Sequence, residues 1–98
     1  MRLSICAYAV AGLFIVANGA QAADGKALYD ANCAACHNVL APKIGDKAAW
    51  APLIKKGNDA LVQSVIAGKG MMPARGGHGT LTDADVKAST EYLVSKSK

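Results

Sequence analysis

The sequence predicts a small all-α domain placed behind an export signal. Three observations carry this: beyond residue 22 apolar residues recur at spacings of three and four, no stretch alternates apolar and polar as a half-buried strand would, and the intervening segments are rich in glycine and proline. In the 98-residue chain the first twenty-odd residues stand apart. Arg2 gives a short positive start, Ile5 to Ala17 is an uninterrupted apolar run, and Ala20 and Ala22 form an A-x-A pattern. Residues 1–22 therefore read as a cleaved signal peptide and residues 23–98 as the domain. A retained anchor is the alternative, but the run falls short of the roughly 20 residues a spanning helix needs. Cys6 begins the apolar run instead of ending it, so lipid attachment is not indicated, and it leaves with the signal.

Each element of the domain has its own signal. Asp24 can cap a first helix, "GKALYDANCAACH", in which Leu28, Ala31 and Ala35 share a side. The loop "NVLAPKIG" follows. A short helix is expected around "DKAAW" and "PLIKK", where Pro52 is tolerable only in a first turn and Gly57 acts as a stop. Asn58 starts "NDALVQSVIAG", with Leu61, Val62, Val65 and Ile66 as an apolar stripe and Gly68 at its end. The segment "KGMMPARGGHG" cannot be regular helix. Thr82, followed by acids at 83 and 85, opens a last helix with Val86, Tyr92 and Leu93 on its apolar side.

A domain this small draws no more than about 3–5 kcal/mol from its core, so a staple is expected. Only Cys33 and Cys36 remain after the signal, which excludes a multi-disulfide framework, and a bridge between them would close too short a loop to constrain the unfolded chain. The staple is more simply a cofactor. The formal charge of +4 falls to +3 once Arg2 is removed, the lysines are scattered, and Trp50 is the one tryptophan. A nucleic-acid platform of interleaved basic and aromatic residues is therefore not supported.

The stretch "CAACHNVLAP" offers the chemistry. On a helix Cys33, Cys36 and His37 stand at i, i+3 and i+4 and project from one side. In C-x-x-C-H both thiols add across the vinyl groups of haem, and the adjacent imidazole is delivered beneath the iron. A thioredoxin-like thiol pair is one rival, but no strand precedes Cys33. Zinc is the other, and it would have to draw its ligands from Cys33, Cys36, His37 and His78, two of them adjacent. The export signal favours haem.

The second axial ligand is to be sought among Met71, Met72 and His78. Pro73 pushes the residue before it to an extended conformation and so holds Met72 out from a stiff loop, while Gly70 permits close backbone approach to the porphyrin. Met72 is the expected ligand, Met71 a plastic core filler, and His78, between two glycines, a solvated loop residue.

The strings "GKALYDANCAACH", "APKIGDKAAW", "GNDALVQSVIAGKGMMPARGG" and "LTDADVKASTEYL" together resemble the class I c-type cytochromes, in particular the small bacterial periplasmic branch called cytochrome c-five. The resemblance implies four or so short helices wrapped around one covalently bound haem, the first and last crossing, with Gly25 and Tyr29 meeting Tyr92. It also implies that the Pro42 carbonyl accepts the second ring N–H of His37, and that Trp50 either donates to a haem propionate or simply packs in the core. Two departures from the branch stand out. The step from His37 to Pro42 is short, and "HGTLTD" occupies the place where a second cysteine pair often follows the "GG".

The expected function is that of a periplasmic one-electron carrier, with haem c held by Cys33 and Cys36 and its iron ligated by His37 and Met72. It is not an enzyme, since both axial positions are filled and no nucleophile or carboxylate pair accompanies them. The chain would act as a monomer. Its partners would be redox proteins with acidic docking surfaces, steered by Lys43, Lys47, Lys69 and Arg75, with transient contact to membrane-bound respiratory complexes. The alternatives are a haem-based sensor or peroxidase with a labile methionine, and an electron-transfer subunit of a larger oxidoreductase complex.

Overall fold

The computed structural model describes residues 24–98, so the expected signal peptide lies outside the described residues. Among these the chain is helical, with an isolated two-residue bridge and no strand: α1 (Gly25–Asn32), α2 (Ala34–His37), α3 (Lys47–Ile54), α4 (Asn58–Ala67), a 3₁₀ turn at Ala74–Gly77, and α5 (Asp83–Ser95). The all-α fold is as the sequence predicts.

The Asp24 carboxylate accepts from the Lys26 and Ala27 N–H groups and opens α1. The expected single helix through His37 is instead interrupted at Cys33, whose φ of −122° leaves the helical range. Asn32 just before it places its side-chain amide on the Leu28 carbonyl, a local bond of the kind that competes with the helix ladder. The chain restarts at once, because the N–H groups of Cys36 and His37 both turn back to the Cys33 carbonyl.

Pro52 lies inside α3, beyond the first turn to which sequence reasoning confined it. Ala48, whose carbonyl a residue there would have served, is exposed, so water can take the place of the lost donor. Asp46 caps the start by accepting from the Ala49 N–H. Gly57, at φ 92°, turns the chain into α4, which buries Leu61 and Val62. In α5 the Thr82 hydroxyl and the Asp85 carboxylate exchange backbone bonds in a complete capping box, and Val86, Leu93 and Val94 are buried.

The crossing of α1 and α5 is the frame of the molecule. A Cβ on Gly25 would stand 2.5 Å from the Ala88 carbonyl oxygen, so hydrogen alone fits there. Tyr29, 2% exposed, tilts against Tyr92 with ring centroids 5.5 Å apart and donates its hydroxyl to the Asn38 side chain at 2.7 Å. Burial pushes the Tyr29 hydroxyl up to about 12, which keeps it a neutral donor. Tyr29, Trp50 and Leu93 form the core, with Ile44, Leu53 and Ile54 packed around them.

The loop Pro42–Gly45 is fixed residue by residue. The Pro42 carbonyl accepts from the His37 ring at 2.8 Å, the Lys43 carbonyl from the Trp50 indole at 2.9 Å, the Ile44 N–H donates to the His37 carbonyl, and the Gly45 N–H donates to the Ser97 hydroxyl. Ser97 is 1% exposed and donates its own hydroxyl to the Leu93 carbonyl. Ser97→Ala leaves a loop N–H without its partner and is expected to cost about 1–3 kcal/mol of stability, read as a lower denaturant midpoint at unchanged slope.

Candidate functional site

A cleft of about 440 Å³, mostly apolar, opens between these elements. Cys33, Cys36, His37, Leu40 and Pro42 line it from the segment after α1, Trp50 and Leu53 from α3, and Leu61, Ser64 and Val65 from α4. Met71, Met72 and Pro73 line it from the loop after α4, and Leu81, Val86, Ser89, Thr90 and Leu93 from α5 and its approach. Every helix that the packing brings together thus contributes a wall.

Cys33, Cys36, His37 and Met72 all lie on this cleft, although about 35 residues of chain separate the motif from the methionine. Both thiols are free, and burial pushes the Cys33 thiol up, with Cys36 adding to the rise against a lowering from Ser89. A thiol held protonated is the reverse of an activated redox cysteine. The His37 ring is oriented by Pro42: a carbonyl can only accept, so Nδ1 carries a proton, and in the neutral tautomer this leaves the Nε2 lone pair free. The short step from His37 is thus long enough for the contact.

The methionine loop is built on a tight hairpin. Lys69 and Met72 exchange N–H···O bonds of 2.9 and 3.0 Å, and Gly70, at φ 60°, makes the turn between them. No protein atom lies within 4 Å of a Cβ built on Gly70, so among the described residues its visible task is the turn. Close approach of the protein to itself occurs at Gly68, where a Cβ would meet the Ala74 nitrogen at 2.8 Å and the Met72 carbonyl oxygen at 3.0 Å. Met72 is half-buried. Met71, expected in the core, is 102% exposed at the cleft mouth, since it stands in the tip of the turn between the bonded Lys69 and Met72. His78 is exposed and off the cleft, as a solvated loop residue should be.

Two other expectations change. The indole N–H of Trp50 is committed to the Lys43 carbonyl, which supports the core reading of this residue over donation to a propionate. Arg75 is not a free steering charge, since its guanidinium is bonded to Leu81 and Asp83. Among the described residues no three His, Cys, Asp or Glu side chains gather as a metal site, so the zinc ligand set is not assembled.

The donor set fits haem. Two thiols and an imidazole with a free Nε2 share one segment, a thioether lies on the same apolar cleft, and its charged lining residues, Lys56, Lys69 and Arg75, are all basic. Such a cleft suits a flat apolar ring bearing anionic tails.

Comparison with known proteins agrees. A family model described as cytochrome c oxidase, cbb3-type, subunit III matches residues 20–93. The chain is 54% identical over 85 residues to a cytochrome c-555 of Chlorobaculum tepidum, covering 80% of this chain and 79% of that protein. It is 34% identical over 99 residues to a cytochrome c6 of Porphyra purpurea, covering 93% of this chain and 86% of that protein. The chain belongs to the small class I c-type cytochromes.

A solved structure described as an electron transfer complex of nitrite reductase with cytochrome c contains a chain that superposes on this cytochrome with a TM-score of 0.73. The two are 41% identical, over 76% of this chain and 95% of that one. The cytochrome carries covalently bound haem c with its iron and transfers electrons, as its family does. Sequence reasoning missed several polar groups around the cleft of this cytochrome. Ser89 and Thr90 follow Val86 at three and four residues and so share its helix face, a spacing visible in the sequence. The Tyr29–Asn38 and Gly45–Ser97 bonds join positions 9 and 52 residues apart, and no local pattern announces them.

Proposed function

We propose that the cytochrome is an exported, periplasmic one-electron carrier in which Cys33 and Cys36 hold haem c as thioethers and His37 Nε2 and Met72 Sδ are the axial ligands. The observation that carries the reading is the convergence of these four side chains on one apolar cleft, with the His37 ring already oriented by Pro42. Bound haem supplies an iron that changes oxidation state by one electron. The chain's own residues hold, orient and desolvate it. The Pro42 carbonyl fixes the imidazole tautomer and raises its basicity. Leu61, Val65, Val86 and Leu93 keep water from the cleft, which limits reorganisation between redox states. With both axial positions occupied, no site remains for substrate turnover, and the protein is a carrier and not an enzyme.

Residues 1–22 serve as the cleaved signal peptide and residues 23–98 as the working monomer. Exposed Lys43, Lys47 and Lys69 favour redox partners with acidic docking surfaces, soluble or in transient contact at membrane-bound respiratory complexes. The solved cytochrome c bound to nitrite reductase supports a protein partner of this kind. A second reading, an electron-transfer subunit of a larger complex, is favoured by the oxidase-subunit description of the matching family, and co-purification of a tight complex would select it.

The absorption spectrum of protein made with cytochrome maturation machinery tests the assignment. Haem retained through acid extraction, together with the weak long-wavelength band of methionine-ligated ferric iron, is expected. A colourless protein, or haem that extracts, removes the thioether reading; a missing band removes Met72.

A further inference from the structure

We propose that Arg75 is a positioning residue for Met72, a clasp that pins the methionine loop to α5 and keeps the thioether in place; the inference rests on Met72 being the iron ligand. The segment from Lys69 to Leu81 has no disulfide, since the free cysteines Cys33 and Cys36 lie elsewhere. Its upstream end is held by backbone alone, through the Lys69–Met72 bridge and the contact of Gly68 with Met72–Ala74. Downstream the backbone bonds stay within the segment, from the Gly76 N–H to the Pro73 carbonyl, the His78 N–H to the Arg75 carbonyl and the Leu81 N–H to the His78 carbonyl, and none of them reaches α5. There Arg75, Gly76 and Gly77 run through positive φ in succession, at 55°, 64° and 86°.

Arg75 is, among the described residues, the position with a Cβ in that left-handed region, a conformation that glycine adopts freely and arginine does not. It persists where surrounding bonds over-determine it. The turn carries the guanidinium to the approach and first residue of α5, where Nη1 donates to the Leu81 carbonyl at 3.0 Å and Nη2 to Asp83 Oδ1 at 2.7 Å. The Arg75 side chain is three-quarters buried in this arrangement, while Asp83 is largely exposed. One fork therefore spans a neutral acceptor and a charged one, which a lysine ammonium cannot reproduce at both points. Arg75 also lines the cleft beside Met72. Without the clasp, only turn bonds internal to the loop hold the chain between Met72 and α5, and the thioether loses its tie to that helix.

The rate at which the ferric holoprotein takes up imidazole reads this directly, because exogenous ligand enters only when the methionine leaves. Arg75→Ala is expected to speed uptake by about tenfold or more, in line with losing hydrogen bonds made by a charged group. Arg75→Lys should recover little of this, Asp83→Asn should give a smaller acceleration, and Lys87→Ala, which removes an exposed pair elsewhere on α5, should give none. Uptake within twofold of wild type in both Arg75→Lys and Asp83→Asn overturns the proposal even where Arg75→Ala fails to fold. So does a fall in denaturation midpoint across the Arg75 variants with no change in uptake rate, the mark of a merely structural role. Failure of the ligand reading looks different, because wild type and Met72→Ala would then bind imidazole at the same rate.

Discussion

Met72→Ala is expected to yield a cytochrome whose ferrous form binds carbon monoxide and whose reduction potential drops by a sizeable part of the ~0.8 V span that axial ligands command. A thioether favours the reduced iron, so its loss moves the potential downward. The long-wavelength ferric band should vanish with it. Met71→Ala is the matched control. Its side chain is the same, one residue away, but stands fully exposed at the cleft mouth, so potential, band and carbon monoxide exclusion should all be retained. Equal behaviour of the two variants would remove Met72 from the site. Because the hairpin bonds at this position are made by backbone groups, they survive either substitution, and the comparison isolates the sulfur.

The largest effect on stability is expected at Gly25. Its missing Cβ would sit 2.5 Å from the Ala88 carbonyl oxygen and 3.1 Å from the Tyr92 Cβ, and the nearer obstacle is backbone, which cannot rotate away. Gly25→Ala must therefore part α1 from α5, loosening the Tyr29–Tyr92 contact and the cleft behind it. A loss of about 2–3 kcal/mol is expected for alanine, the upper range for overpacking, and Gly25→Val should fail to fold. Gly79→Ala, where nothing lies within 4 Å, should leave stability within about 0.5 kcal/mol of wild type. Chemical denaturation of the two alanine variants side by side checks this, and equal midpoints would mean that the crossing can widen without penalty.

The helices and the anchor motif were legible because their causes are local. Caps at Asp24 and Thr82, stops at Gly57 and Gly68, and the i, i+3, i+4 spacing of Cys33, Cys36 and His37 are all written within a few residues of where they act. The place of Met72 on the cleft accords with what its neighbour Pro73 implies. The failures share a cause too. Whether Met71 points inward depends on the handedness of the Gly70 turn, and whether α1 runs through Cys33 depends on where the Asn32 side chain finds its acceptor. The commitments of Trp50 to Lys43 and of Arg75 to Leu81 and Asp83 rest on which acceptor the folded chain brings closer. Residue type gives their capacity to donate, and tertiary structure chooses the recipient.

The α1–α5 crossing also dictates an order of events. The cleft draws walls from both sides of that crossing, so no local fragment of the chain contains it, and it comes into being only when the most sequence-distant helices meet. A contact of such long separation must meet its loop-closure entropy before it is rewarded, and so forms more slowly than local turns and helices. Until then Cys33, Cys36 and His37 sit on a short stretch beside α1 without the walls of α4 and α5 around them. The same geometry that later shuts water out thus leaves an interval in which a bulky ring can be joined to the chain, after which the arrival of α5 closes over it.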